Sequence, residues 1–591
     1  MKNFLKYVLA TITGFIIVNV VMAFIFFGIV SAFVSMATRD KAVEVKKNSV
    51  LTLTLDKPIH DRKPSVPLIN PDILTGFPET PLGLNELLDN IKKAGKDPNI
   101  DGIFLDLSSI QAGLGTVDEL RNALKAFKDS DKFIISYSDN YDQSSYYLAS
   151  VSDKIYMNPE GVFYLKGLHS ELLFFKNAFD KLGIEPQVIR HGKFKSAVEP
   201  LMDTKMSPEN REQIKAYMGS IWQHMVKEIS ANRDISPEQV NQLADKLEVA
   251  DSHAAYDNRL VDSLVHKDVV LDVIKAKTNV SDKKKPQLVA LSEYNKVPKQ
   301  IEQKRLVKEK IAVIYAQGTI VPGKGQHDQI GAARFVEAIS EARKDSSVKA
   351  IVLRVNSPGG YALAAENIWR ELYLAKKVKP VIASMGDYAA SGGYYIAAPA
   401  DVILANPLTL TGSIGVFGVL WNAEELLNKK LGITTDVEKT NTYADFGTIS
   451  RPVSDFEKAV LQKSVDKVYQ TFTGHVMEGR DMTYEEVDKI GEGRVWSGIN
   501  ALNINLVDAF GGITDAIELA AEKAGIKEYR VIELPKQENP LDLLMKELMS
   551  ETRIRTMKKE LGSDYIYYET FKTLNDLKGV QARLPFLLNI R

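Results

Sequence analysis

The chain has 591 residues, of which 45% are hydrophobic, 26% charged and 8% aromatic, the profile of a folded protein long enough for two or more domains. The balance of 75 Lys and Arg against 76 Asp and Glu leaves a formal charge of −1, which gives no electrostatic footprint for nucleic acid. Cysteine is absent, so disulfides, thiolate nucleophiles and cysteine-ligated metal sites are excluded.

At the N-terminus Lys2 and Lys6 precede an apolar run, residues 7–38, that carries no charge before Arg39 and whose most polar side chain is Asn19. A membrane span needs about 20 apolar residues, and a signal-peptide core has only about 7–15. Residues 1–40 are therefore expected to form a cytoplasmic stub and a single transmembrane anchor. A long cleaved signal peptide, with Ser35-Met36-Ala37 as the small-residue site, is the alternative. Lys2 and Lys6 favour a cytoplasmic N-terminus, while Arg39, Lys41, Lys46 and Lys47 weaken that orientation. No later run is as long and apolar, so the rest is expected to form a body on one side of the membrane.

That body reads as a duplication. DGIFLDLSSIQA (101–112) matches KAIVLRVNSPGG (349–360), and YSDNYDQSSYYLASVSDKIYMN (137–158) matches MGDYAASGGYYIAAPADVILAN (385–406). Both offsets are 248 residues (349 against 101, 385 against 137). The first unit is placed at 41–280 and the second at 311–540, joined by a charged stretch, 281–310, that reads as a linker or exposed helix. In each unit short β-branched runs alternate with helical patterns, as in IAVIYA, KAIVLRV and PVIASM around ALAAENIWRELYLAKK. That alternation predicts an α/β fold of βαβ units on a largely parallel sheet. The tail, 541–591, is rich in Lys, Glu and Leu and is expected to be helical, either used in assembly or as a solvated amphipathic helix on its own domain.

Several catalytic signatures are missing. There is no G-x-S-x-G, no H-E-x-x-H and no P-loop. The eight histidines, at 60, 169, 191, 224, 253, 266, 327 and 475, show no metal-ligand spacing. Two glycine-rich segments do stand at strand ends of the second unit, VNSPGG (355–360) and AASGGYY (389–395), where open α/β sheets place their sites. Ser391, flanked by small residues at a strand-to-helix turn, offers an accessible hydroxyl beside backbone N–H donors. Close packing of a helix on the sheet would explain the same glycines. The duplication argues for chemistry. The first unit keeps the tyrosine pair (Tyr146-Tyr147 against Tyr394-Tyr395) but carries Gln143-Ser144-Ser145 in place of Ser391-Gly392-Gly393, and Ile110-Gln111-Ala112 in place of Pro358-Gly359-Gly360.

The first unit has its own distinctive segment, RHGKFKSAVEP (190–200), where the second has KTNTYADFGTI (439–449). A lysine is a poor base at its reference pKa of about 10.4, but desolvation between two packed units lowers that value. Lys193 and Lys195 are both candidates, and both also fit exposed loop charges.

These segments together resemble the signal peptide peptidase A (protease IV) family in its long duplicated form. NSPGG, ASGGYY, ANPLTLTGSIGVFG (405–418), FKSAVEP and GRVWSGINA (493–501) stand at the family's spacing, and the likeness runs through anchor, both units and linker. The resemblance implies units with the βαβ spiral of Clp-type proteases and crotonases. It also implies Ser391 as nucleophile, Lys195 as general base from the other unit, Ser413 orienting the lysine, and Gly359 and the Gly392 N–H as oxyanion donors. Phe194 stands where the family often has Tyr, and Asp387-Tyr388 departs from its usual residues, which points to a change at the rim of the substrate groove. The resemblance further implies no cofactor or metal, and a homotetramer with its body on the outer side of the bacterial cytoplasmic membrane. Remnant signal peptides and other apolar peptides would be its substrates. Two other readings are a crotonase-like acyl-CoA enzyme and a non-enzymatic membrane scaffold. Neither explains both the anchor and the serine segment.

Overall fold

The computed structural model describes residues 44–64, 81–281, 284–298, 307–537 and 580–584, with scattered positions between 6 and 28. The expected anchor therefore lies mostly outside the described residues. The described positions within it are helical and exposed. Among the described residues no helix is long and apolar enough to cross a membrane.

In chain order the first unit contributes β1 (Ser49–Leu53), β2 (Ile100–Leu107), β3 (Phe133–Ser138), β4 (Lys154–Met157), β5 (Glu185–His191), β6 (Ser263–Leu264) and β7 (Gln287–Ala290). The second contributes β8 (Lys310–Gln317), β9 (Val348–Ser357), β10 (Gly359–Tyr361), β11 (Val381–Ala390), β12 (Val402–Ala405), β13 (Leu410–Gly412), β14 (Val416–Asn422), β15 (Val495–Ser497), β16 (Ala509–Phe510) and β17 (Arg530–Leu534); β18 (Val580–Arg583) follows. The first sheet runs β6-β4-β3-β2-β1-β7 and is parallel throughout. The second runs β16-β12-β11-β9-β8-β17, the same order with the same parallel sense. It adds β13 beside the far end of β11, and β15 antiparallel to β13.

The strands carry almost unbroken apolar runs because helices cover both faces. In β9, Ala350 through Val355 are all buried. The same logic recurs in two long helices at matching places. Pro208–Arg233 begins on a Ser207 cap with proline in the first turn, and Asp455–Arg480 begins on a Ser454–Glu457 capping box. Each ends on a left-handed aspartate, Asp234 (φ 53°) and Asp481 (φ 52°).

The two units share one core, in which Leu51 and Leu53 of the first cluster with Ile311, Val313 and Val352 of the second. Polar groups register that interface. Arg354 on β9, fully buried, donates to Asp61 and Glu119 of the first unit, each at 2.8 Å, and to Ser384 at 3.0 Å. Asp387 accepts from the Thr116 N–H (2.8 Å) and hydroxyl (2.9 Å). Asp387 is thus a docking residue between units, not the groove-rim residue expected from the sequence. A Cβ on Gly113 would lie 2.2 Å from its carboxyl carbon, so the opposite unit is shaped to receive it.

Two boundaries differ from expectation. The stretch 281–310 is not a free linker, because β7 extends the first sheet and Tyr294 is fully buried behind it. In the tail the described residues, 580–584, form a strand instead of a helix, since two strand edges flank them and satisfy their backbone. Residues 538–579 lie outside the described residues.

A third sheet ties the units together. Its principal strands run β10-β18-β14-β5, with Ile320–Val321 and Ile330–Gly331 beyond β10. The strand from the first unit, β5, pairs antiparallel along the whole of β14, from His191↔Val416 to Glu185↔Asn422.

Candidate active site

Ser391 follows the last residue of β11 and caps the short helix Gly392–Ala397, with φ 55° and ψ −115°. A serine rarely takes positive φ, and such strain is held only where the surroundings fix it. Here its N–H donates to Gly412 O at 2.8 Å, and its carbonyl accepts from Tyr395 N at 2.9 Å. The result is a sharp strand-to-helix elbow that presents the hydroxyl without a G-x-S-x-G motif. Glycine is required at 393, where a Cβ would stand 2.6 Å from the Ser357 carbonyl oxygen.

Lys195 arrives from the other unit. Once β5 has paired with β14, the chain turns at Gly192 (φ 98°) and runs beneath the 492–495 segment. Phe194 N donates to Glu492 O at 3.0 Å. Gly493 sits so close that a Cβ there would lie 2.6 Å from Lys195 Cβ. Gln213 stitches the region, donating to Ser196 Oγ (2.9 Å) and Phe194 O (3.2 Å) while accepting from Val495 N (3.0 Å).

These supports bring the Lys195 Nζ to 2.8 Å from Ser391 Oγ, 3.0 Å from Ser413 Oγ and 3.1 Å from Ser413 O. Lys195, Ser391 and Ser413 are all fully buried. No ion pair to Lys195 occurs among the described residues, and burial alone pushes its ammonium well below the ordinary lysine value. A neutral amine has two protons and one lone pair. With the protons on the Ser413 hydroxyl and carbonyl oxygens, the lone pair faces the Ser391 hydroxyl. The competing acceptor for that hydroxyl, Gly415 O, is 3.5 Å away, at the limit of a hydrogen bond. Lys193, by contrast, is exposed and pairs with Glu492 at 3.0 Å.

The Gly392 N–H opens its helix and lies against Gly359, whose Cβ, if present, would be 2.7 Å from it. The Gly359 N–H is already committed, donating to Ser357 Oγ at 3.1 Å. Gly359 (φ 95°) is needed for close approach, because a Cβ there would lie 2.1 Å from the Ala582 carbonyl oxygen. That carbonyl belongs to β18, which fills the gap between β10 and β14. Leu584 N donates to Pro358 O at 2.6 Å, and ladder alternation makes Gly360–Ala582 the next closely bonded pair. Gly360 N also lies close by, 3.1 Å from where a Cβ on Gly392 would stand, so the loop carries a second amide beside that of Gly359.

The model of Peptidase family S49 matches this chain twice, at residues 126–281 and 374–527. The chain belongs to peptidase family S49. The first S49 match contains Lys195, and the second contains Ser391, Ser413 and Gly493. Protease 4 of Salmonella typhi is 38% identical over 484 residues, spanning 80% of this chain and 76% of that one. The chloroplastic serine protease SPPA of Arabidopsis thaliana is 32% identical over 552 residues, spanning 92% and 78%. Among solved structures, a ClpP1 mutant from Listeria monocytogenes aligns over 35% of this chain and 94% of its own, with TM-score 0.24 and 15% identity. Membership of S49 makes this chain a serine protease, which sets aside the acyl-CoA and scaffold readings.

Sequence reasoning missed the residues that hold the site together. Gly493 lies in a run noticed as a motif but given no task, and its positive φ (84°) is a fact of conformation. Gln213 lies in the first turns of a long helix and carries no local signal. Gly360 was visible only as one of a glycine pair.

Proposed function

We propose that the chain is a membrane-anchored S49 endopeptidase using a Ser391/Lys195 dyad against signal peptides and other apolar peptides. The reading rests on one observation above all, the 2.8 Å contact between a fully buried, carboxylate-free lysine amine and the hydroxyl of a strained serine. In this reading neutral Lys195 takes the Ser391 proton as Oγ attacks the scissile carbonyl carbon, and the Gly392 and Gly360 N–H groups receive the developing oxyanion. The ammonium then gives its proton to the leaving amine, and water, deprotonated by the same lysine, hydrolyses the acyl ester. Ser413 keeps Nζ aimed throughout. The apolar run at 7–38 supports a single anchor, with the body outside the bacterial cytoplasmic membrane. Family resemblance supports a homotetramer.

The test is labelling with a serine-directed fluorophosphonate, with the modified residue mapped by mass spectrometry. Modification of Ser391 that is lost in Lys195→Ala is expected. Undiminished labelling in that variant would remove the lysine from the mechanism.

A further inference from the structure

The tyrosine pair that both units keep makes the same contacts in each. Tyr394 OH donates to Leu506 O at 2.8 Å, and Tyr146 OH to Leu260 O at 2.9 Å. Tyr395 OH donates to Glu366 Oε2 and Tyr147 OH to Asp118 Oδ1, each at 2.5 Å. Behind each carboxylate stands a histidine of the long helix. His475 Nε2 lies 2.9 Å from Glu366 Oε2, and His224 Nε2 lies 3.5 Å from Asp118 Oδ1. His475 is stacked on Trp369 with ring centroids 3.4 Å apart. Burial opposes ionisation of both acids, yet hydrogen bonds from the histidine and the tyrosine outweigh it and hold each carboxyl below its usual range. The two copies thus share a tyrosine–carboxylate–histidine brace on the short helix after the central strand. They differ at the start of that helix. In the first unit Gln143–Ala149 begins on a capping box, with the Asp142 carboxylate accepting from Ser145 N at 2.7 Å and Ser145 Oγ from Asp142 N at 3.1 Å. In the second unit Ala390 replaces Asp142 and Gly393 replaces Ser145.

Ser391, at the cap position, makes no side-chain cap, and its hydroxyl faces Lys195. Loss of the box leaves the first-turn N–H groups without a side-chain acceptor. It also leaves the helix poorly held at that end. Gly392–Ala397 has six residues, far below the roughly 12–15 that sustain a helix in water. Its orientation therefore rests on anchors further along. Tyr395 is one turn past Ser391, whose carbonyl accepts from Tyr395 N at 2.9 Å. We infer that Tyr395 and Glu366 are positioning residues for the reaction: their bond takes over from the missing cap and fixes the elbow, so that Ser391 Oγ and the Gly392 N–H both meet the scissile carbonyl. The inference rests on the Ser391/Lys195 reading. Both residues act through the helix rather than on substrate, with His475 holding the Glu366 carboxylate from behind. In the first unit the same brace serves packing alone, because its helix is capped and has Gln143 in place of the nucleophile.

The full chain is purified in detergent as wild type, Tyr395→Phe, Glu366→Gln and Tyr147→Phe. Each is measured for kcat and KM on an internally quenched Ala/Leu peptide, for affinity toward a peptide boronate, and for its urea midpoint. Tyr395→Phe should lose about 10–100-fold in kcat with KM held, since a displacement of reacting groups by about 1 Å costs about 100-fold. Boronate affinity should fall by the same factor, because the tetrahedral adduct needs the same Gly392 N–H. Glu366→Gln keeps the shape and weakens the acceptor, so its kcat should lie between those of Tyr395→Phe and wild type. Tyr147→Phe should lower the urea midpoint as much as Tyr395→Phe does, yet keep its kcat. Three results would overturn the inference: wild-type kcat in Tyr395→Phe or in Glu366→Gln, an equal loss of kcat in Tyr147→Phe, or a rise in KM with kcat held. If Tyr395→Phe does not fold, Glu366→Gln is judged by the same results. A wild type that leaves the peptide uncut and takes no fluorophosphonate at Ser391 would instead remove the dyad reading, and the brace with it.

Discussion

Replacing Lys195 by methionine tests the base and its surroundings together. Methionine is nearly isosteric and suits a fully buried position, so it deletes the amine while keeping the volume packed by Gly493 and Gly415. On the proposed dyad, loss of the general base should lower kcat/KM by about 10²–10⁴-fold. Stability responds in its own way. Burial lowers the folded-state pKa of Lys195, so between that value and the reference near 10.4 the unfolded chain binds one more proton than the folded one. In that window wild-type stability rises with pH, by about 1.4 kcal/mol per unit from this group alone. The variant lacks this contribution. Its stability relative to wild type should therefore be greatest at the lower end of the window and decline by about 1.4 kcal/mol per unit as pH rises. The offset also contains the lost contacts to Ser413, so the slope is the diagnostic. Urea midpoints of the two proteins measured from neutral pH to about pH 10 supply it. Parallel profiles would refute a desolvated, neutral lysine, whatever the variant's activity.

The wild-type rate should carry the same signature: kcat/KM rises with pH through the depressed lysine value and then levels off, and a flat profile would contradict it. Ser413→Ala removes one of two contacts holding Nζ; a hydrogen bond of about 0.5–1.5 kcal/mol corresponds to a loss of about 2–10-fold in kcat, with KM little changed. Gly493→Ala forces a Cβ onto the Lys195 backbone, and a displacement of the base by even 1 Å should cost about 100-fold in kcat/KM, readable in steady-state kinetics. Arg354→Met leaves Asp61 and Glu119 buried without their partner and should cost about 3–5 kcal/mol in urea melts. The deficit should be smaller at pH 5 than at pH 8, because burial already pushes the Glu119 carboxyl up, and a raised acid loses stability as pH climbs through it.

What the sequence made legible follows from where the signal is stored. The glycines at 392 and 393 pack tightly on the backbone of the neighbouring strand end, at Gly359–Gly360 and Ser357, and a serine among small residues at a strand end could be read directly. The parallel sheets announced themselves through apolar runs that need helices on both faces. The pairing of Lys195 with Ser391 spans 196 residues and depends on β5 finding β14, a contact that neither strand's composition encodes. Gln213 is invisible for the same reason. β7 and β18 illustrate another limit. Gln-Leu-Val-Ala and Val-Gln-Ala-Arg are too short and mixed to declare themselves, and each is a strand because an unpaired edge awaits it.

In the proposed dyad, lysine as base binds the chemistry to the packing of the two units. A histidine would titrate near neutrality on an open surface, whereas a lysine must be stripped of water before it is a useful base. No surface loop of one unit supplies that. Here the first unit offers Lys195 on a segment closed over by residues 492–495 and 413–415 of the second, and desolvation is the only cause of its lowered pKa. The strained turn at Ser391 belongs to one unit alone, yet the proposed base is stripped of water only once the units have docked. Loosening the interface would admit water to Nζ and return its pKa toward the ordinary value. The pH–rate profile would then move to higher pH while its plateau held. Interface integrity and catalytic competence are thus read through the protonation of a single amine, and an isolated copy of either unit has no site.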